Sequence, residues 1–308
     1  MQQHQVSEAC LLGTTGYGEL MFAKALRADY HVVETVAHAK ATTHFIPDAS
    51  FILDIGGQDM KAIWLDDGII TDIVVNEACS SGCGSFLESF ASTLNIPLDE
   101  VAQTAFSSKD PANLGSRCTV FMNSNVVTEQ RNGKTPADIM AGLCRSIIEN
   151  VFTKVIRVSN LDSLGKKIVV QGGTFENDAV LRAMEEYVGR DVVRAPYPGI
   201  MGAIGMALIA KEKYEKSPET EEIWDLQNLD TFSYTQDANS PCPFCGNHCN
   251  RTIVKFSNGN SWVTNNRCER GEVIGNPKDK EVNRQVKEKL QKVNAVPNLY
   301  KIREELLF

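Results

Sequence analysis

FILDIGGQD, residues 51–59, reads as a buried strand that ends in two adjacent glycines, Gly56 and Gly57, with a carboxylate on either side. Adjacent glycines let a phosphate approach the backbone and leave N–H donors unhindered. The neighbouring carboxylates and amide are of the types that place Mg²⁺ or a water at a γ-phosphate. The candidate catalytic residues are Asp54, Gln58 and Asp59. The same stretch also fits a plain hairpin turn between two strands, so the motif alone leaves both interpretations open.

Two further glycine-rich turns lie downstream. IVVQGGTFEN, residues 168–177, is another apolar strand pattern that leads through two glycines to a helix start, a site where a nucleotide can lie against bare backbone. PGIMGAIGMAL, residues 198–208, has small residues that allow close packing on a ligand or on a neighbouring element. A tight strand-to-helix turn and ordinary helix packing explain these two patterns without a ligand. The candidate cofactor-binding residues are Gly56, Gly57, Gly172, Gly173, Asn177, Gly202 and Ala203.

Strand and helix patterns alternate from about residue 50 to residue 213, which predicts an α/β fold. The predicted strands cover residues 51–56, 62–67, 70–76 and 167–173. The predicted helices cover residues 81–95, 136–159, 176–188 and 201–216. The helix predicted from Pro136 has its proline in the first turn and an apolar stripe at helical spacing.

The composition limits the classes of protein that fit. The chain has 308 residues, enough for two lobes and an accessory segment. Its 31 Lys and Arg against 39 Asp and Glu give a net charge of −8, which argues against a nucleic-acid-binding protein because such proteins need a basic face. No apolar run approaches the roughly 18 residues of a membrane-spanning helix, and the N-terminus lacks the pattern of a signal peptide. We therefore expect a cytoplasmic protein without nucleic-acid or membrane partners.

Nine cysteines in a chain without an export signal favour metal binding or redox chemistry over disulfides. Four of them have the spacing C-x2-C-x3-C with a fourth cysteine after 18 intervening residues, which is typical of a metal site. A structural zinc ion and an iron–sulfur cluster both fit this pattern. The predicted ligands are Cys242, Cys245, Cys249 and Cys268.

Cys79 and Cys118 form a second system, because each stands directly before a helix pattern. A helix N-terminus favours a thiolate, and its N–H groups can bond to cluster sulfurs. Two cysteines are too few for a [4Fe–4S] cluster, which takes four ligands, unless a symmetric dimer supplies two from each chain. Taken alone, these two residues fit buried free cysteines better.

Six motifs, in this order along the chain, resemble the BadF/BadG/BcrA/BcrD ATPase family over about residues 10–212. They are GTTGYGE (13–19), LDIGGQD (53–59), NEACSSGCGSFL (76–87), SRCTVFMNSNV (116–126), QGGTFEN (171–177) and GIMGAIGMAL (199–208). The two motifs with Cys79 and Cys118 are specific to this family, whereas the glycine-rich turns recur across actin-like ATPases.

The resemblance implies an actin-like fold (ASKHA, ribonuclease H-like) in a homodimer, with one [4Fe–4S] cluster held by Cys79 and Cys118 of each subunit. It also implies ATP or ADP with Mg²⁺ at the glycine turns. ATP binding and hydrolysis would then accompany transfer of a low-potential electron to a 2-hydroxyacyl-CoA dehydratase or a benzoyl-CoA reductase. A ferredoxin or flavodoxin would supply that electron.

Family members begin with a first phosphate hairpin of the form DxGS-T upstream of GTTGYGE, and this chain begins after that point. We therefore expect residues 1–48 to be a remnant of ATPase lobe I, truncated at the N-terminus, and residues 49–213 to be lobe II with the cluster-binding region and the return helix. Residues 214–240 read as a linker, and residues 241–308 as a small Cys-rich metal-binding segment with a C-terminal helix. Whether this chain alone hydrolyses ATP stays open.

Two alternatives remain at this point. One is a small-molecule kinase of the same fold, which would not need Cys79 or Cys118. The other is a degenerate nucleotide-binding structural module of a larger multidomain activase, which the missing first hairpin favours.

Overall fold

The computed structural model describes residues 8–9, 11–76, 83–116, 119–217, 224–225 and 231–294. Its helices are α1 (Glu19–Leu26), α2 (Glu34–Phe45), α3 (Gly84–Thr93), α4 (Val101–Phe106), α5 (Thr119–Arg131), α6 (Pro136–Asn150), α7 (Asp178–Val188), α8 (Met201–Lys216) and α9 (Lys280–Asn294). Its strands are β1 (Glu8–Ala9), β2 (Gly13–Thr14), β3 (Tyr30–His31), β4 (Phe51–Ile55), β5 (Met60–Asp66), β6 (Ile69–Asn76), β7 (Ile168–Gln171), β8 (Val193–Arg194), β9 (Trp224–Asp225), β10 (Tyr234–Pro241), β11 (Asn250–Phe256) and β12 (Ser261–Thr264). Within the described ranges, none of the helices has the length and apolar character that crossing a bilayer requires.

The chain divides into two compact units. The α/β unit comprises Gly13–Tyr17 and His31–Glu219. The second unit comprises Met1–Leu12, Gly18–Tyr30 and Thr220–Phe308. The domain boundaries expected from the sequence stay a prediction.

A five-stranded sheet in the order β6-β5-β4-β7-β8 forms the centre of the α/β unit. β4, β5 and β6 are antiparallel neighbours, whereas β7 and β8 run parallel to β4. The four strands predicted from the sequence are present as β4 to β7, and their ends lie within two residues of the predicted ones. All five residues of β4 are buried, because both faces of a central strand are covered in this kind of fold.

Apolar side chains pack on both faces of this sheet. On one face, Phe51, Leu53 and Ile55 of β4 join a core built with α3, α4, α6 and α7. On the other face, Ile52 joins a smaller core with α2 and α8. The alternation follows from the two-residue period of a strand. α2 and α8 lie unusually close, because a Cβ atom built on Gly205 would be 1.8 Å from the carbonyl oxygen of Ala37.

The longest predicted helix is shorter in the structure. α6 ends as an α-helix at Asn150 and continues as a π-helical turn, Val151–Val155. Ile156 N donates to Val151 O over 2.9 Å to close that turn, and Arg157 then takes a φ of 52°. The prediction of one helix to residue 159 is therefore wrong beyond the π turn. β-branched residues are frequent in this stretch and crowd the preceding turn of an α-helix.

The second unit contains an antiparallel sheet in the order β10-β11-β12, and β1 pairs with β9. Asn258 Nδ2 donates to Ala25 O over 2.6 Å, and Asn260 Nδ2 donates to Lys24 O over 2.8 Å. Arg251 is buried and donates to Val273 O over 2.6 Å. These bonds from side chains to backbone carbonyls join α1 and the segment after β12 to the small sheet.

Candidate functional site

The first glycine turn joins β4 to β5 and is bonded to the start of α3. Gly56 N donates to Asp59 O over 2.9 Å, which closes the turn. Gly84 N donates to Gly56 O over 2.9 Å, and Ser85 N donates to Gly57 O over 2.8 Å. The turn therefore has its carbonyl groups satisfied by the first residues of a helix, and its shape is fixed by backbone bonds on two sides.

The second glycine turn follows β7 and lies beside the first, because β4 and β7 are parallel neighbours whose carboxyl ends meet at one edge of the sheet. Gly172 has a φ of 90°, and a Cβ atom there would be 2.2 Å from Ile55 O. Thr174 Oγ1 donates to Gly56 O over 3.0 Å, which links the two turns directly. Only glycine fits at position 172, since both its backbone conformation and its surroundings exclude a side chain.

A cleft of about 720 Å³ in the α/β unit is bordered by both turns and by α3. It is lined by Gly57, Gly84, Ser85, Leu87, Glu88, Leu98, Asp99, Ala102, Gly173, Thr174, Glu176, Asn177 and Asp178. Its volume lies in the range of pockets that hold small molecules of nucleotide size. At Gly57 and Gly173, a Cβ atom would have no neighbour within 4 Å, so bare backbone at both turns is open to a ligand.

The chemistry of the cleft suits a ligand that carries phosphates, hydroxyl groups and a bound cation. Backbone N–H groups at glycine turns bind phosphate oxygens. The carboxylates of Glu88, Asp99, Glu176 and Asp178 line the same cleft and can accept hydrogen bonds or contact a cation. Apolar side chains from α3 and the segment before α4 line it as well.

Three of the predicted cofactor-binding residues line this cleft: Gly57, Gly173 and Asn177. Asn177 also caps α7, because its Oδ1 accepts from Ala179 N over 2.9 Å. Gly56 and Gly172 are not among the residues that line the cleft, and they fix the conformation of the two turns through the backbone contacts given above. The sequence analysis missed the cleft residues of α3 and α4, although Gly84 and Ser85 lie inside the NEACSSGCGSFL motif.

The third predicted turn lies elsewhere in the α/β unit. A Cβ atom on Gly202 would be 3.2 Å from His38 Nε2, so Gly202 gives room to a side chain of α2. Ala203 is exposed. The structure therefore does not bring Gly202 and Ala203 to the cleft described here, and their predicted contact with a nucleotide stays a prediction.

Two of the predicted catalytic residues lie at the first turn. Gln58 is exposed at its tip. Asp59 Oδ2 accepts from Lys61 Nζ over 2.6 Å, whereas a Cβ atom on Gly56 would be 2.6 Å from Asp59 Oδ1. One carboxylate oxygen of Asp59 is therefore held at the glycine turn, which fits a Mg²⁺ ion that accompanies a phosphate group.

The third, Asp54, is buried on the side of the sheet that α2 covers. Its Oδ2 lies 3.2 Å from His38 Nδ1 and has no hydrogen-bond partner among the residues that the structure describes. Burial raises the pKa of Asp54, and the nearby His38 and Lys61 act in the opposite direction. The sequence analysis missed His38 and Lys61, because nothing in the local pattern showed that they would meet these carboxylates.

Four of the six predicted metal ligands lie among the residues that the structure describes, and two lie outside them. Cys79 and Cys118 lie outside the described residues, although α3 and α5 begin at Gly84 and Thr119. In the second unit, Cys242 is buried, Cys245 and Cys249 are half-buried, and Cys268 is exposed. Across the described part of the chain, no three His, Cys, Asp or Glu side chains are grouped to hold a metal ion. The arrangement described here therefore does not form a metal site in the second unit, and that site stays a prediction.

Comparison with known proteins identifies the family. The model of the BadF/BadG/BcrA/BcrD ATPase family matches residues 2–210. The chain belongs to this family. It is 38% identical over 203 residues to the activator of lactoyl-CoA dehydratase of Anaerotignum propionicum, a match that covers 66% of this chain and 76% of that protein.

Two solved structures have a similar fold. Component A of (R)-2-hydroxyglutaryl-CoA dehydratase from Acidaminococcus fermentans superimposes with a TM-score of 0.61 at 32% identity, over 67% of this chain and 77% of that one. The activator of 2-hydroxyisocaproyl-CoA dehydratase from Clostridium difficile, solved with bound ADPNP, gives a TM-score of 0.61 at 28% identity, over 73% and 81%. The predicted actin-like α/β fold is confirmed.

Proposed function

We propose that this family member is an ATP-dependent activator that passes a low-potential electron to a 2-hydroxyacyl-CoA dehydratase or to a partner of the benzoyl-CoA reductase type. The observation that carries the proposal is the cleft between two glycine turns whose first turn is bonded to the start of α3. Support also comes from relatives that are named as activators of such dehydratases.

The nucleotide part of the proposal assigns ATP or ADP to the cleft. Its phosphates would lie against Gly57 and Gly173, where the backbone is open. Asp59 and Gln58 would place Mg²⁺ or the attacking water, and Asp54 would support them from the α2 side. The structure of the Clostridium difficile relative contains ADPNP, an ATP analogue, which supports this assignment.

The electron-transfer part assigns one [4Fe–4S] cluster to Cys79 and Cys118 of two subunits. Such a cluster supplies reversible one-electron chemistry when it is bound. In each cycle the activator would accept one electron from a ferredoxin or flavodoxin and give one electron to the partner enzyme, while ATP and water become ADP and phosphate. The bonds from Gly84 and Ser85 to the first glycine turn support a link between the nucleotide and the helix that follows Cys79. We also propose that the protein works as a homodimer in the cytoplasm.

The test is the iron, acid-labile sulfide and zinc content of anaerobically purified protein. We expect the wild-type chain to hold iron and sulfide, and the Cys79→Ser/Cys118→Ser double variant to lose both. Cys268→Ser is the matched control, because it removes a thiol of the second unit and should leave the iron unchanged. If neither the wild type nor the control holds iron, the electron-transfer proposal fails, and a nucleotide-binding structural module becomes the better account.

A further inference from the structure

A buried row of polar side chains crosses three strands of the central sheet. Asp54 of β4 is paired in register with Lys61 of β5 on one side and with Gln171 of β7 on the other. All three are almost fully buried on the face that α2 covers. Polar side chains in such a position need partners from the covering helix, because unsatisfied buried groups are costly.

α2 supplies these partners at four-residue spacing. Glu34, His38 and Thr42 lie on one face of the helix, since residues four apart are neighbours on its surface. Lys61 Nζ lies 2.8 Å from Glu34 Oε1. His38 Nδ1 lies 3.2 Å from Asp54 Oδ2, and Thr42 Oγ1 donates to Gln171 Oε1 over 2.8 Å. His38 Nδ1 also lies 2.8 Å from Gln171 Nε2, so each member of the stripe contacts at least one member of the row.

Lys61 is the member of the row that also reaches the first glycine turn. Its side chain is 2% exposed, and its Nζ contacts both Glu34 of α2 and Asp59 of the turn, at 2.8 and 2.6 Å. Burial disfavours the ammonium group, but hydrogen bonds to Asp59 and Glu34 outweigh it and raise the pKa of Lys61 above its usual value. A position that only filled space would hold an apolar residue, because an isolated buried charge is strongly destabilising.

The geometry points to Lys61 as a positioning residue that holds Asp59 for a Mg²⁺–nucleotide complex at the first glycine turn and, through Glu34, makes α2 respond to that complex. This inference rests on the proposed nucleotide site. By binding Asp59 Oδ2, Lys61 leaves Oδ1 beside Gly56, on the side where the phosphate would lie. A Mg²⁺ ion that coordinates Asp59 would weaken the hydrogen bond between Asp59 and Lys61. The bond between Lys61 and Glu34, in the first turn of α2, would then change as well.

The first test compares the affinity for ADP in the presence of Mg²⁺ and in EDTA, using the full chain. In the wild type we expect Mg²⁺ to tighten ADP binding. In Lys61→Met we expect this gain to fall about tenfold or more, the size of a lost hydrogen bond between charged groups, with ADP affinity in EDTA little changed. A merely structural role would weaken both affinities alike. Lys40→Met is the matched control, because Lys40 of α2 forms an ion pair with Glu212 and, among the described residues, no ion pair with the first glycine turn.

The second test measures amide hydrogen exchange in α2 with and without Mg²⁺–ADP. Glu34→Gln keeps the bond between Lys61 and Asp59 but weakens the link to α2. In the wild type we expect Mg²⁺–ADP to slow exchange in α2. We expect Glu34→Gln to keep the Mg²⁺ gain and to lose this slowing. This variant decides the matter if Lys61→Met does not fold.

The inference is overturned if Lys61→Met retains the wild-type Mg²⁺ gain, or if Glu34→Gln leaves the exchange response of α2 intact. A wild-type chain that binds no ADP overturns the proposed function as well. The two failures are therefore distinguished by the wild-type affinity alone.

Discussion

Gly84 donates its backbone N–H to the carbonyl oxygen of Gly56 across 2.9 Å. A Cβ atom on Gly84 would be 3.4 Å from that same oxygen and 2.7 Å from Thr174 Oγ1, so the three residues are packed without space for a side chain. The first turn of α3 is thus in contact with both glycine turns. A ligand that moves either turn acts on the helix that follows the Cys79 segment.

Alanine is expected to lower the stability of the protein at Gly172 but not at the adjacent Gly173. Gly172→Ala should destabilise the protein by roughly 2 to 5 kcal/mol, because its φ of 90° and the 2.2 Å approach to Ile55 O both exclude a Cβ atom. Gly173→Ala should leave the unfolding temperature unchanged, since its Cβ would meet nothing within 4 Å, and should weaken ADP binding. Thermal unfolding and ADP titration of both variants check this. Unchanged ADP affinity in Gly173→Ala would contradict the placement of phosphates at this turn.

Asp138 should make the unfolding temperature of the protein depend on pH in the acid range. Hydrogen bonds from Thr135 and Ser108 hold the pKa of Asp138 well below its usual value. Because the folded state lowers this pKa, the stabilisation is complete above the unfolded value of about 3.9 and is lost as the pH falls below it. The unfolding temperature of the wild type should therefore drop as the pH falls from about 4 to about 2, and that of Asp138→Asn should start lower and drop less over the same range. Asp66→Asn, at an exposed carboxylate of β5, serves as the control. An equally steep drop in Asp138→Asn would refute this assignment.

The rate of alkylation should differ between the buried Cys144 of the α/β unit and the exposed Cys268 of the second unit. Burial raises the pKa of Cys144 to about 12, so little thiolate forms and alkylation at pH 8 should be negligible. Among the cysteines that the structure describes, Cys268 is the exposed one and should react first in metal-free protein. If the predicted metal site of the second unit forms, zinc should slow alkylation of Cys242, Cys245, Cys249 and Cys268 together. Mass spectrometry of alkylated peptides measures this, and equal rates with and without zinc would count against a zinc site.

Two glycines of α8 should differ in their tolerance of alanine. At Gly205 a Cβ atom would be 1.8 Å from Ala37 O, so Gly205→Ala must push α8 away from α2 and lower the unfolding temperature markedly. At Gly202 the nearest atom is His38 Nε2 at 3.2 Å, a contact that a small side-chain shift can relieve. Alanine also favours a helix over glycine by about 1 kcal/mol, so Gly202→Ala should be close to neutral. Similar losses in both variants would contradict the backbone contact at Gly205.

Local sequence patterns were enough to predict the central strands and the two glycine turns. β4 and β7 are mostly apolar runs, each with one polar residue, that lead to paired glycines, and such runs are typical of buried strands. The end of α6 could not be predicted in the same way. Its apolar stripe continues past Asn150, and the change to a π turn depends on how the helix packs rather than on its period.

The contacts of Asp54 could not be predicted from the sequence, for a different reason. Its neighbours in the buried row, Lys61 and Gln171, are set by strand register, and Gln171 lies more than one hundred residues away along the chain. Its partner His38 comes from α2, whose buried residues are three alanines and one threonine, so the helix pattern did not show which strand residues its polar side chains would contact. The chemical role of Asp54 could therefore be predicted from the sequence, whereas its contacts could be determined only from the structure.

The missing side chain at Gly205 also has a mechanical consequence. Two helices whose backbones touch cannot slide past one another by exchanging rotamers, because no layer of side chains separates them at that point. If α2 tilts, α8 therefore has to tilt with it as a rigid helix. With 16 residues, α8 is about 24 Å long, so a displacement of one ångström near Gly205 grows along its length toward Lys216.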